Sequence, residues 1–173
     1  MQRLLFILAV MIPACGGSGF DTGMAMLSSS AKIKSASAKP FTGADAMGTM
    51  VLGWTIDFHS ASPGSDCMDD SIDKPASIGI FTNQAAGSAK VAVLSAGGDI
   101  TIVKMSPPPT TSGVAATMGI DMVSDVTGIV HLDDVFVNGD KPGLTGSVSA
   151  GGNDSSGNPI SITGTFVAPQ CGS

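Results

Sequence analysis

Four aspartates crowd one cysteine: Asp66, Asp69, Asp70 and Asp73 flank Cys67 in a single short stretch. Carboxylate oxygens in such number are what a calcium ion collects, since it takes about six to eight oxygen ligands. The order of an EF-hand loop is missing, so Asp69, Asp70 and Asp73 are weak candidate ligands. A solvated acidic loop is the simpler reading, and no metal is expected. Asp133-Asp134 is a second acidic pair read the same way. Eight methionines lie beyond residue 14, among them Met24 with Met26 and Met47 with Met50. Thioethers suit Cu(I), yet Met is equally a flexible core filler, and Met118 and Met122 sit in an apolar pattern. The only two histidines, His59 and His131, fall opposite the apolar faces of their segments, as surface residues would. Gly16-Gly17-Ser18-Gly19-Phe20-Asp21 matches one calcium β-roll unit, but a single unit cannot bury its own apolar face.

Catalytic groupings are thin. A serine nucleophile needs a base and a third, orienting group, and no G-x-S-x-G elbow occurs. Asp57 is the sole acidic residue in the clearest strand pattern, which leaves no facing carboxylate pair for glycoside hydrolysis. Phosphate-cradling and dinucleotide-binding glycine motifs are absent. We expect a protein that is not an enzyme and that carries no cofactor. A formal net charge of -6 and a pI near 4.5 disfavour nucleic acid, whose phosphates require a basic footprint.

The N-terminus reads as an address. Met1-Gln2-Arg3 is positively charged and Leu4 to Ile12 is an unbroken apolar run, too short to span a membrane that takes roughly 20 helical residues. Residues 1–14 are therefore expected to be a cleaved export signal. Ile12-Pro13-Ala14-Cys15 resembles a bacterial lipobox, which implies a lipid on Cys15 and a membrane partner through that lipid; Gly16 after it favours the outer membrane. Ile12 and Pro13 depart from the usual pattern, and plain secretion is the alternative. Cysteine parity bears on the choice, because lipidating Cys15 leaves Cys67 and Cys171 as an even pair in an oxidising compartment. A Cys67–Cys171 disulfide would close a loop of about 100 residues and stabilise by roughly 4–5 kcal/mol in the chain-entropy model.

These groups need a scaffold, and composition says which kind. The 173 residues include 23 Gly, 22 Ser and 13 Thr but no Glu and one Arg, so helix formers are scarce and turn and strand formers abundant. Residues 15–45 read as the lipidated cysteine and a flexible tether, with Ala31 to Ser37 as one candidate edge strand. Residues 46–173 read as a β-domain. Met50, Leu52, Trp54, Ile56 and Phe58 share one face at period two. Even-numbered sets recur at Val114 to Met122, at Val126, Val130 and Leu132, at Leu144 and Val148, and at Ile160, Ile162 and Phe166. Shorter candidates are Ile78 to Thr82, Lys90 to Ser95 and Asp99 to Met105, the last two joined as a hairpin through Ala96-Gly97-Gly98. Pro107-Pro108-Pro109 marks a crossing or an edge. Aliphatic-Thr-Gly recurs at Val126, Leu144 and Ile162, an interval of 18 residues that suits a meander. The expected fold is all-β: an antiparallel sandwich or small closed barrel of about eight or nine strands, with one disulfide and Trp54, Phe58 and Phe166 as its largest core members.

The lipobox-like start, the Gly/Ser-rich tether, a cysteine among aspartates and the final Gly164-Thr165-Phe166-Val167-Ala168-Pro169-Gln170-Cys171 together resemble uncharacterised exported lipoproteins of Gram-negative bacteria. The resemblance implies a lipid-anchored cell-envelope β-domain with a structural or binding role. The alternatives are a secreted carrier holding a small apolar ligand in a barrel, and a metal-handling exported protein.

Overall fold

Strand after strand places its even-numbered residues on one side of the sheet, and that shared parity builds the core. The computed structural model describes residues 20–21, 33–45, 47–60, 74–87, 89–104, 113–136 and 143–170, the first two as backbone alone. Among the described residues nine strands run in chain order: β1 (Phe20–Asp21), β2 (Ser35–Ala44), β3 (Met50–His59), β4 (Ala76–Ala85), β5 (Gly98–Val103), β6 (Ala115–Ile120), β7 (Thr127–Phe136), β8 (Gly143–Asn153) and β9 (Pro159–Pro169). No helix occurs among the described residues. The strands form one sheet in the order β1-β9-β8-β7-β5-β6-β4-β3-β2. A parallel bridge between Ala38 and Gln170 brings β2 back to β9, so the eight long strands make a nearly closed barrel.

The sheet is mixed rather than antiparallel throughout. β5 lies parallel to β6 and antiparallel to β7, which takes it out of the hairpin expected with residues 90–95. Those residues belong instead to a connection in which Ala92 and Leu94 are buried, with Trp54 Nε1 donating to the Ala92 carbonyl at 2.8 Å. Gln84 fastens the same connection, its amide donating to the Val93 carbonyl and accepting from the Val93 N–H, each at 3.0 Å. β2 occupies residues placed in the expected tether, and its Ala36 and Ala38 are fully buried, so the barrel already includes Ser35–Ala44. β6 ends at Ile120, where Asp121 and Met122 turn with positive φ; Met122 is thereby fully exposed, and Val114 is exposed as well, outside the apolar face expected of them.

Ala36, Leu52, Trp54, Ile56, Phe58, Ile78, Ile80, Ile102, Met118, Val130, Leu132, Leu144, Val148, Ile162 and Phe166 all point inward, and all are even-numbered. An eight-stranded barrel is just wide enough for side chains to fill it. Trp54, Phe58 and Phe166 are its largest fully buried members, as the sequence suggests, and Phe58 meets Phe166 edge to face at 5.9 Å. β7, β8 and β9 form the meander, and two glycines of the repeated triplet sit where space runs out. A Cβ at Gly146 would strike the His131 carbonyl oxygen, and one at Gly128 would strike that of Ser149. Across β2, β3 and β4 the outer wall shows a related device: Phe41 and Phe81 pack edge to face at 5.2 Å beside Gly53, whose absent side chain leaves room for the Phe41 ring.

Candidate functional site

Two polar groups on the outer wall carry the two histidines. The first lies across β2, β3 and β4, where the register sets Ser37 beside Asp57 and Asp57 beside Ser77. Ser77 Oγ donates to Asp57 Oδ1 at 2.7 Å, and the other Asp57 oxygen faces Lys39 Nζ at 3.4 Å and Lys74 Nζ at 3.8 Å. His59, two residues along the strand, meets Ser37 Oγ through Nε2 at 2.8 Å. These positions belong to the odd, outward face, yet Ser35, Ser37, Asp57 and His59 are all buried. His59, expected on the surface, is 1% exposed, and its Nδ1 has no hydrogen-bond partner among the described residues. Alternation assigns a residue to a side of the wall but says nothing of whether that side is covered. Burial holds the imidazole below its ordinary pKa of 6.5, against the opposing pull of Asp57; Lys74 and Lys39 lower it further. Among the described residues no third group stands on Nδ1 to orient the ring as in a catalytic triad.

The second group lies across β5 and β7, with Asp99 the register partner of His131. His131 Nδ1 is 2.5 Å from Asp99 Oδ1, and Nε2 is 3.6 Å from Asp133 Oδ1. This histidine stands at the surface, as expected, with its side chain about one third exposed. Asp133 owes its place to an irregularity in the strand. The β7–β8 register passes from Leu132↔Gly146 to Asp134↔Thr145, leaving Asp133 as the extra residue of a β-bulge. Bulges re-aim side chains. Here the bulge accompanies a carboxylate that reaches back toward the imidazole two residues before it. Sequence alone showed Asp133-Asp134 as an acidic pair; neither the bulge nor the pairing with Asp99 is visible without the register.

No family model, no curated protein and no solved structure is similar to the chain.

The remaining expected sites, lipidation at Cys15, the Cys67–Cys171 disulfide and the weak metal candidates Asp69, Asp70 and Asp73, lie outside the described residues. Asn138-Gly139 and the Pro107-Pro108-Pro109 run do too. Among the described residues no group of three or more His, Cys or Asp side chains is arranged to surround a metal ion, and no helix is long and apolar enough to cross a membrane.

Proposed function

We propose that this chain is a lipid-anchored cell-envelope protein whose barrel serves a structural or binding role on its outer surface, without catalysis. The observation that carries the reading is the filled interior. Trp54, Phe58, Phe166, Leu52, Ile56, Met118, Leu132 and Leu144 occupy the inside, and the connection bearing Ala92 and Leu94 packs on the same core. A carrier needs an apolar cavity of roughly 300 Å³ or more, and bulky side chains compete with any ligand for that space. Recognition therefore belongs to the wall. Neither polar group on it supports nucleophilic catalysis: Ser37–His59 is buried with no orienting group among the described residues, and His131 Nε2 faces a carboxylate, not a hydroxyl. The anchor rests on the lipobox-like Ile12-Pro13-Ala14-Cys15 following an export-type apolar run.

The test is expression of the full chain in a Gram-negative host, followed by detergent partitioning and mass analysis of the N-terminus. The expected product partitions into detergent and begins at a Cys15 bearing acyl chains, and Cys15→Ser moves it to the aqueous phase. An unlipidated product cut after Ala14 would overturn the anchor. A stoichiometric apolar ligand extracted from the purified protein would overturn the filled-barrel argument.

A further inference from the structure

We propose that His131 and Asp133 form a two-point chelate for a divalent transition ion of the zinc class, with Asp99 as the carboxylate behind the imidazole. Nδ1 of His131 lies against Asp99 Oδ1 at 2.5 Å, a contact in which a neutral imidazole carries its proton on Nδ1. Nε2 then presents a lone pair outward. Such carboxylate–histidine pairs fix the tautomer and ring orientation of a metal-binding imidazole and raise its basicity.

The second donor is at chelating distance. With metal–nitrogen and metal–oxygen bonds near 2.0–2.2 Å, ligands at a tetrahedral angle stand about 3.4 Å apart. His131 Nε2 and Asp133 Oδ1 stand 3.6 Å apart. In a regular strand, residues two apart rise by about 6.6 Å and their side chains stand parallel. The bulge at Asp133 departs from that spacing, and it sits in a fixed frame: Leu132 is fully buried in the barrel and its carbonyl accepts from Gly97 N at 2.6 Å. Imidazole with carboxylate oxygen suits zinc and its neighbours rather than calcium, which prefers an all-oxygen shell. Both donors are accessible to solvent, so an ion held here keeps open positions for water or for a ligand atom from a partner.

Two histidines make the experiment site-resolved. The full chain, purified without added metal, gives one imidazole Cε1–H signal per histidine by NMR, two in all, and His131→Gln identifies one by its loss. Zinc titration should shift the His131 signal saturably and leave the buried His59 in place. Asp133→Asn should weaken the apparent affinity at least tenfold. Asp99→Asn, which keeps an acceptor but removes the charge, should weaken it about 10- to 100-fold. All three substitutions are at the surface, and unchanged melting temperatures would show that the fold is kept. A His131 signal that does not move with zinc overturns the proposal. So does one that moves equally in Asp133→Asn or Asp99→Asn, because zinc would then be held by the imidazole without the help of these carboxylates.

Discussion

Aspartate is the only acidic residue in this chain, and the turns show what a short carboxylate arm does. Asp45 Oδ1 accepts from the N–H groups of Met47 and Thr49, and Asp154 Oδ1 from those of Ser156 and Asn158. Asp154 also takes the Asn158 side-chain amide on its second oxygen, and these hydrogen bonds hold its carboxyl below the ordinary range. Glu would carry its oxygens one methylene too far for the same turn. The turn role was legible from composition; the buried role of Asp57 between Lys39, Lys74 and Ser77 was not, since the registers of β2 with β3 and of β3 with β4 create it. His59 makes the sharpest prediction at this scale. Its pKa is lowered on folding, so the unfolded chain binds the proton more readily between the folded value and 6.5. Stability is thus kept above about pH 6.5 and lost as pH falls through that window. The melting temperature should drop as pH falls below about 6.5, and His59→Gln should flatten that part of the profile. An unchanged slope in His59→Gln would assign the acid sensitivity to other groups.

At the scale of elements, periodicity revealed most strands because each has one covered face; the buried core cluster from Ala36 to Ala168 is even-numbered, and past the β7 bulge the inward side passes to Val135, the register partner of Leu144. It failed where tertiary partners decide. Residues 90–95 alternate like a strand, yet only Ala92 and Leu94 are taken up by the core, and the segment is held by side chains rather than by a ladder. The parallel pairing of β5 with β6 has no local signature either, because a strand's own sequence does not encode its neighbour's direction. Trp54→Phe should keep most of the packing and leave the buried Ala92 carbonyl without its donor, costing about 1–3 kcal/mol in denaturant unfolding. Hydrogen exchange should rise first in the Ala86 to Gly97 connection. Gly146→Ala should cost roughly 1–3 kcal/mol, because the added carbon meets backbone that cannot yield without breaking the β7–β8 ladder.

For the whole molecule, the all-β fold and its three largest core residues could be read from the sequence, whereas the closure could not. Barrel and sandwich share the same alternation, and only the meeting of β2 with β9 separates them. Phe166→Ala, at the centre of the aromatic contact with Phe58, should lower global stability by about 3–5 kcal/mol in a single cooperative transition. A separate early transition would instead divide the barrel into independent halves. β1 is the smallest element, two residues pairing with Phe166 and Thr165 of β9, and it sets a length. Phe20 is five residues from Cys15, and a chain spans at most about 3.6 Å per residue. Under the anchor proposed above, a lipid on Cys15 would therefore sit no more than about 18 Å from the edge of β9. The barrel would rest among headgroups rather than float on a leash of thirty residues, and whatever meets its wall would do so at the membrane surface.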